Sequence, residues 1–236
     1  MEMFPLVPIS ILTPTYNRSK FLPLYIDNLL KFKYPKDMLE VLIYDDGTES
    51  FIKDIEKFKK DIEPIQLKYI KTNDKKSIGF KRNYLIKNAT NKIVCFMDDD
   101  DIYHPEYINY SYQMLKNHKA GLVGSPQMLF VYPEDNFKMT MIACEFKHQI
   151  HEATMMMTKK YFKSMGGGFQ NTSRGEGAKM VQTQDKNVTK TDIGLIMICV
   201  AHSENSVDKE QFCDDKFSIK QNYQGDKLDI LKSILL

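Results

Sequence analysis

The stretch IVCFMDDDDIYHP, residues 93–105, decides the fold. It begins with a β-rich apolar run at residues 93–97, which stops at four consecutive aspartates at residues 98–101. A continuous apolar run is typical of a parallel strand, because such a strand is buried on both faces. Two unit charges about 4 Å apart repel by roughly 4 kcal/mol at an effective dielectric constant of about 20. Four carboxylates at a strand end therefore predict a cation, a helix N-terminus or raised pKa values there.

Strand and helix patterns alternate from the N-terminus up to this stretch. Apolar runs predict strands at residues 7–12, 39–44, 66–70 and 93–97. Helical spacing of apolar residues predicts helices between them, at residues 21–32, 51–58 and 81–89. This alternation is typical of βαβ units, so we expect an α/β fold with a largely parallel central sheet flanked by helices.

Polar clusters follow three of the predicted strands, at residues 13–18, 45–46 and 98–101. In open α/β sheets, ligands bind beyond the carboxyl ends of the strands. We therefore expect these three clusters to converge on one crevice.

The second half of the chain has a weaker pattern. It predicts helices at residues 105–116 and 153–165, strands at residues 121–132, 137–146 and 193–200, and a mobile loop at residues 170–190. We divide the chain into a first half at residues 1–110, a second half of the same domain at residues 111–212, and a C-terminal helical tail at residues 213–236.

The composition excludes several classes of protein. The 236 residues include 33 basic and 31 acidic side chains, a formal net charge of +2, which is too even to predict a nucleic-acid partner. A hydrophobic fraction of 42% argues against disorder. We find neither an apolar run of about 20 residues nor a signal-peptide pattern, and the four dispersed cysteines indicate free thiols, so we expect no transmembrane segment and a cytoplasmic location.

The aspartate cluster is the strongest chemical signal. In an extended segment Asp98 and Asp100 face the same side, so one could point to a ligand and the other to Mg²⁺ or Mn²⁺. The alternative is an acidic cap on the following helix, with Asp101 as the cap. Asp45 and Asp46 precede a glycine and alone would indicate a turn, but beside the other clusters they predict ligand contact.

Three segments together resemble the nucleotide-binding half of family 2 glycosyltransferases with the GT-A fold. They are PISILTPTYNR at residues 8–18, LIYDDGTES at residues 42–50, and GFKRNYLIKNATNKIVCFMDDDDIYHP at residues 79–105. Each segment is short, but their order and spacing follow the family's pattern over residues 8 to about 110.

The resemblance implies a site for a nucleotide-diphosphate sugar, with a UDP-linked donor expected. Pro14 and Tyr16 would lie against the base, with Tyr16 stacking on it and Asn17 in the same binding segment. Asp46, with Asp45, would accept the imide N–H of a uracil.

The sugar and phosphate side is implied by the same resemblance. Arg82 would lie near the base or phosphate, and Asp98 and Asp99 would contact the ribose. Asp100 would ligate Mn²⁺ or Mg²⁺ bridging the diphosphate, where a divalent cation stabilises the leaving group as a Lewis acid.

A later segment, ICVAHSENSVD at residues 198–208, resembles the family's H-x-x-N-S segment. His202 would then be a second metal ligand or a diphosphate contact, and a purely structural histidine is the alternative. His151 and Glu152 could face an acceptor, although a structural role is favoured for both.

An inverting transferase needs a carboxylate that deprotonates the acceptor hydroxyl. Family members offer a Glu-Asp pair in a loop near the acceptor, whereas this chain has Glu176 followed by Gly177. We expect Glu176 to be the base, with Asp185 as an example of a base elsewhere.

The expected function is metal-dependent transfer of a sugar from a nucleotide diphosphate to a glycan or other hydroxyl acceptor, with inversion inherited from the resemblance. One alternative is a sugar nucleotidyltransferase on a related fold. Such an enzyme would require a glycine-rich phosphate-binding loop after the first strand, and residues 13–18 contain no glycine. The other is a non-catalytic protein that binds a nucleotide sugar, which the glycine at position 177 makes possible.

Overall fold

Strands and helices alternate along the part of the chain that the computed structural model describes, residues 3–182, 187–205 and 207–236. Its strands are β1 (Ile9–Thr15), β2 (Leu39–Asp45), β3 (Gln66–Lys71), β4 (Ile93–Phe96), β5 (Ile102–Tyr103), β6 (Leu122–Gly124), β7 (Met128–Tyr132), β8 (Lys138–Ile142), β9 (Met156–Thr158), β10 (Val188–Lys190), β11 (Met197–Val200) and β12 (Ser218–Asn222). Its helices are α1 (Leu22–Lys31), α2 (Ile55–Asp61), α3 (Ile78–Asn88), α4 (Tyr107–Asn117), α5 (Lys159–Ser164), α6 (Ala178–Gln182) and α7 (Leu228–Leu235).

The central sheet has the strand order β10-β6-β9-β4-β1-β2-β3. β1 pairs in parallel with β2 and β4, and β2 pairs in parallel with β3. β9 is antiparallel to both of its neighbours, β4 and β6. The predicted α/β fold with a largely parallel central sheet is therefore confirmed.

Burial on both faces explains why β1, β2 and β4 are mostly apolar, whereas the edge strand β3 is partly exposed. Ile9 and Ile11 of β1 belong to a core cluster that includes Tyr25 of α1. Leu12 points to the opposite face and packs in a second cluster with Leu85 of α3. Helices therefore cover the sheet on both sides, as parallel strands require.

A second sheet, with the order β12-β8-β7-β11-β5, adjoins the carboxyl end of β4. The single strand predicted at residues 121–132 is wrong, because it is broken at Pro126, which has no N–H to continue a ladder. β6 before the break joins the central sheet, and β7 after it pairs antiparallel with β8 in the second sheet.

The helix predicted at residues 153–165 is also wrong in its first half. Met156 and Met157 form β9, and both are completely buried because the strand lies between two neighbours in the sheet. Thr158 then caps α5, its hydroxyl accepting a hydrogen bond from Tyr161 N at 3.0 Å.

The starts of α2 and α3 differ from the predicted helix boundaries, because a capping residue sets each of them. α2 begins after Asp54, whose carboxylate accepts from Lys57 N, and α3 begins after Ser77, whose hydroxyl accepts from Phe80 N. The loop predicted at residues 170–190 contains α6 and β10.

The C-terminal residues contain the predicted helix, α7, and also β12, which pairs antiparallel with β8. Leu231 of α7 is completely buried in a cluster with Phe21 and Leu24. Lys227, at the start of α7, forms a buried ion pair with Asp27 of α1. Within the described ranges, no helix has the length and apolarity needed to cross a membrane.

Candidate active site

The carboxyl ends of β1 and β4 open into a cleft of about 1030 Å³. Its walls come from the segment after β1, the aspartates after β4, the start of α3, residues 151–153, the loop at residues 173–176 and the segment after β11. Of the three polar clusters, two line this cleft, those after β1 and after β4.

The four aspartates take different roles in the structure. All four line the cleft, so the lining does not separate Asp98 and Asp100 from their neighbours. The side chain of Asp99 is nearly buried and its Oδ2 has no hydrogen-bond partner among the described residues. Burial raises the pKa of Asp98, against the lowering effect of Arg82, and burial with the neighbouring Asp100 raises the pKa of Asp99.

Asp101 does not cap the following helix, so that alternative is wrong. α4 begins after Glu106, and Asp101 Oδ1 instead accepts a hydrogen bond from Val200 N at 2.9 Å. This bond joins the end of β11 to the aspartate cluster and so positions the residues that follow β11.

Asp100 meets His202 and Arg18 at one carboxylate oxygen. His202 Nε2 lies 3.1 Å from Asp100 Oδ2, and Arg18 Nε donates to the same oxygen at 3.3 Å. Although burial acts in the opposite direction, His202 and Arg18 lower the pKa of Asp100. The structure thus brings together the two residues that the sequence predicts as metal ligands, from positions that are far apart in the chain.

The donor set of this pair suits a hard divalent cation, since a carboxylate oxygen and an imidazole nitrogen both bind Mn²⁺. Among the residues that the structure describes, no three His, Cys, Asp or Glu side chains form a group that could hold a metal ion. A cation at Asp100 and His202 would therefore complete its coordination with ligand oxygens or water.

Asp45 and Asp46 are buried behind the cleft wall. Asp45 Oδ1 accepts from Gly47 N at 2.9 Å, and its Oδ2 accepts from Phe51 N at 2.8 Å and from the Tyr69 hydroxyl. These bonds close the turn after β2, and Asp45 is not among the residues that line the cleft.

The Asp46 carboxylate is also engaged at both oxygens. Oδ1 accepts from Lys81 Nζ and Oδ2 from Lys76 N, at 2.8 and 2.7 Å. Burial lowers the pKa of Lys81, and the ion pair with Asp46 opposes that shift. Each oxygen of Asp46 thus accepts one of these two bonds, and a carboxylate oxygen can accept a second donor such as an imide N–H.

The carboxyl end of β1 and the segment after it form one wall of the cleft. Pro14, Tyr16 and Asn17 all line it. Asn17 is left-handed (φ 53°), a conformation that Asn tolerates, and its Oδ1 accepts from Glu49 N at 3.1 Å. Lys75 Nζ lies 3.9 Å from the centroid of the Tyr16 ring, so a cation covers one side of this ring.

Arg82 lies at the centre of an acidic group. Its Nε donates to Glu176 Oε1 at 3.1 Å and its Nη2 to Asp98 Oδ1 at 3.4 Å. The guanidinium lies over the ring of Phe96, 4.4 Å from its centroid, and its Nη1 is buried without a partner in the described structure. Arg82 and Glu176 are both only 4% exposed, so the carboxylate expected to be the base is held in a buried ion pair. Asp185, the alternative base, lies outside the described residues.

Lys209 is a cleft residue that sequence reasoning missed. Burial acts against its charge, but Cys199, Asp101 and Asp100 raise its pKa above the usual value. Lys209 follows the irregular segment after β11. Because that segment has no helical or strand periodicity, the sequence does not indicate which way the Lys209 side chain points, and its position near the aspartates is evident only from the fold.

His151 and Glu152 also line the cleft. From the sequence, a contact of these two residues with an acceptor is the less favoured interpretation. Burial lowers the pKa of His151 to about 4, so its ring is neutral at pH 7. Glu152 Oε1 accepts a hydrogen bond from Gly177 N at 2.9 Å, which ties this residue to the loop that carries Glu176.

Two curated proteins are similar to the chain in sequence. Over 136 residues it is 26% identical to the poly(ribitol-phosphate) beta-N-acetylglucosaminyltransferase TarS of Staphylococcus aureus, covering 53% of this chain and 23% of that protein. Over 171 residues it is 26% identical to a dolichyl N-acetyl-alpha-D-glucosaminyl phosphate 3-beta-D-2,3-diacetamido-2,3-dideoxy-beta-D-glucuronosyltransferase of Methanococcus voltae, covering 70% of this chain and 50% of that one. The chain thus spans no more than half the length of these relatives.

Solved structures share the fold. S. aureus TarS in complex with UDP-GlcNAc matches with a TM-score of 0.67 and 18% identity, covering 87% of this chain and 63% of that one. The mannosyltransferase PcManGT of Pyrobaculum calidifontis, in complex with GDP-Man and Mn²⁺, matches with a TM-score of 0.64 and 16% identity, covering 87% of this chain and 61% of that one. These matches agree with the GT-A fold expected from the sequence.

The sequence model of one family, described as Glycosyl transferase family 2, matches residues 10–174, which include β1 to β4, the aspartate cluster and the start of the loop before Glu176. Because this match covers well over half of the chain, the chain belongs to glycosyl transferase family 2.

Proposed function

We propose that the chain transfers a sugar from a nucleotide diphosphate, UDP-linked, to an acceptor hydroxyl with inversion at the anomeric carbon. The observation that carries the proposal is the meeting of Asp100, His202 and Arg18 at one carboxylate oxygen, at 3.1 and 3.3 Å, in a large cleft at the strand ends. Relatives and neighbours named for UDP-GlcNAc and GDP-Man complexes support a nucleotide-sugar donor.

The cleft offers separate positions for the parts of such a donor. Tyr16 provides an aromatic ring at one end for the base. Arg18 and Lys209 supply positive charge beside the aspartates, where a diphosphate would otherwise be repelled. Two buried polar atoms without partners in the described structure, Asp99 Oδ2 and Arg82 Nη1, are available for a ligand that carries both donors and acceptors.

A Mn²⁺ or Mg²⁺ ion fits this assignment, with Asp100 and His202 as its protein ligands. When bound, such an ion neutralises the charge that develops on the leaving diphosphate. Arg18 holds the Asp100 carboxylate in place, and the His202 backbone N–H donates to Asn205 Oδ1 at 2.8 Å, which helps to position His202.

A second candidate function is binding of a nucleotide sugar without transfer. The glycine at position 177, where family members carry an aspartate, favours it. Release of nucleoside diphosphate from the donor separates the two functions, because a protein that only binds the donor does not break the glycosidic bond.

The test is calorimetric titration of UDP, GDP and TDP with and without Mn²⁺, on the wild type, Asp100→Ala and the matched control Asp135→Ala. Asp135 is an exposed aspartate outside the cleft. We expect one nucleotide to bind in a Mn²⁺-dependent manner and Asp100→Ala to weaken that binding at least about tenfold, equivalent to about 1.4 kcal/mol.

If none of the three nucleotides shows metal-dependent binding, the proposed use of the aspartate cluster is wrong. An equal loss of binding in Asp135→Ala would show that the effect does not come from the cleft.

A further inference from the structure

Glu152, which lines the cleft, packs directly against Gly177. A Cβ built on Gly177 would lie 2.6 Å from Glu152 Cγ, 2.7 Å from its Oε1 and 3.0 Å from its Cδ. The Glu152 side chain, which comes from the segment before β9, therefore fills the volume that any side chain at position 177 would enter.

The backbone at Gly177 does not itself require glycine. The glycines at positive φ are Gly166, Gly167, Gly168 and Gly175, and Gly177 is not one of them. A side chain at this position would meet the Glu152 side chain, whose carboxylate accepts from the Gly177 N–H at 2.9 Å, and Glu152 would have to move to admit it.

Glu152 and Glu176 differ in how they are held. Glu176 is nearly buried and accepts the Nε–H of Arg82, so its lone pairs are partly used by a cation. Glu152 is half-buried and lines the cleft, and its Oε1 accepts a hydrogen bond from a neutral backbone N–H, that of Gly177. A carboxylate to which no guanidinium is bonded keeps more of its lone pairs open to the hydroxyl of an acceptor.

We propose that Glu152 is the general base of the transfer reaction, in place of a carboxylate at position 177, and that Glu176 is a positioning residue acting through Arg82. This inference rests on the proposed function. In the step, the acceptor O–H proton passes to a carboxylate oxygen of Glu152 as the acceptor oxygen bonds to the anomeric carbon. The bond from that carbon to the diphosphate oxygen breaks, and its electron pair leaves with the nucleoside diphosphate.

The first test measures UDP release from a panel of UDP-sugars with water as the acceptor and Mn²⁺ present. It compares the wild type with Glu152→Gln, Glu176→Gln and the exposed control Glu145→Gln. Removal of a general base typically lowers the rate by about 10²–10⁴-fold. We therefore expect Glu152→Gln to release UDP more slowly by a factor of that size, while its affinity for UDP stays unchanged. The control should keep the wild-type rate. A loss under tenfold, or a loss matched by weaker UDP binding, would overturn the proposal.

The rate must also be measured against pH, because a base produces an acidic limb that its amide variant lacks. Arg82 lies among Asp98, Glu176 and Glu152, so these charged groups share the field around the base. We expect Glu176→Gln to keep the acidic limb, with a change in donor KM larger than the change in kcat. An acidic limb that disappears in Glu176→Gln and persists in Glu152→Gln would assign the base to Glu176 instead.

The second test moves the carboxylate. Glu152→Ala empties the volume beside position 177, and Gly177→Asp then returns a carboxylate to it from the other side. We expect the double variant to release UDP at least tenfold faster than Glu152→Ala alone. A folded double variant that gains nothing would contradict the inference. If the wild type itself neither binds UDP nor releases it, the proposed function fails together with this inference. If the wild type is active and only the results for the variants disagree, the inference alone fails.

Discussion

At the scale of single residues, Gly79 shows how closely the loop before Glu176 approaches α3. A Cβ at this position would lie 1.7 Å from the Gln170 carbonyl oxygen, and the Gly79 N–H donates to Thr172 O at 2.9 Å. The contact is with backbone atoms, which cannot rotate away as a side chain would. The first turn of α3 is therefore packed directly against this loop. Arg82 follows on the next turn of the same helix.

We expect Gly79→Ala to lower the free energy of unfolding by roughly 1–3 kcal/mol, because overpacking forces a backbone shift. The loop displacement should also reduce UDP release, since the Arg82–Glu176 pair spans the same contact. The matched control is Gly194→Ala, where a Cβ would meet only Asp192 Oδ1, at an ordinary 3.4 Å. Urea unfolding of both variants checks the prediction, and equal stability of the two would contradict it.

Tyr16 gives a second prediction at this scale. If its ring stacks on the base, Tyr16→Ala should weaken nucleotide binding by about 1–3 kcal/mol, the usual contribution of base–aromatic stacking. Tyr16→Phe keeps the ring and should bind nearly as the wild type does. Calorimetry with the nucleotide selected above measures both, and an Ala variant with unchanged affinity would remove Tyr16 from the site.

At the scale of elements, Glu40 joins β1, β2 and the segment after α3. Its carboxylate accepts from the Ser10 hydroxyl, from Thr90 N at 2.9 Å and Thr90 Oγ1 at 2.7 Å, and pairs with Lys68 Nζ at 2.7 Å. Burial alone would raise its pKa, but these partners together lower it from the usual 4.5. The folded chain therefore holds the Glu40 proton more weakly than the unfolded chain does.

This shift makes the contribution of Glu40 dependent on pH. The stabilisation is fully present above about pH 4.5 and is lost as the pH falls through the lowered pKa of the folded chain. We expect Glu40→Gln to lower the free energy of unfolding by roughly 1–3 kcal/mol at pH 7. The difference from the wild type should shrink in urea unfolding below pH 4.5. A difference that is constant with pH, or a similar loss in the exposed control Glu134→Gln, would contradict the prediction.

The sequence predicts a strand or helix well where the burial of that element is uniform along its length. β1, β2 and β4 are buried on both faces along nearly all of their length, so each is mostly apolar, and the polar clusters lie at their carboxyl ends. The methionine run at residues 155–157 has the same apolarity without a strand's β-branched residues, so its place between β4 and β6 could not be read from its composition. Of the site, residue types and order along the chain indicate Asp100 and His202, but the burial of Asp45 and the presence of Lys209 depend on contacts across the fold.

At the scale of the whole molecule, α7 supports the segment that leads into the site. Leu231 packs in one cluster with Phe21 and Val200, and the Phe21 ring lies 4.7 Å from the His202 ring. The C-terminal helix therefore buries its apolar side against residues that directly precede or contact the proposed metal ligand. The predicted division at residue 213 crosses this cluster.

We expect Leu231→Ala to lower the free energy of unfolding by about 2–5 kcal/mol, because the side chain is completely buried and leaves a cavity. Leu236→Ala is the matched control, since that leucine is 72% exposed and should change stability by less than about 0.5 kcal/mol. Thermal and urea unfolding measure both. A Leu231→Ala protein as stable as the control would show that α7 does not contribute to the fold.

The position of β9 has a consequence for synthesis on the ribosome. β4 is complete at Phe96, but its outer edge stays without a partner until residues 156–158 have left the exit tunnel. Over that interval the nascent chain carries an apolar strand with free N–H and C=O groups, which is the feature that recruits wrong partners. The three residues of β9 then join the β6 side of the sheet to the β4 side, and β10 completes the central sheet at its edge only afterwards. A ribosome stalled shortly before residue 156 should therefore hold a chain that a chaperone still recognises, whereas one stalled well after residue 190 should not.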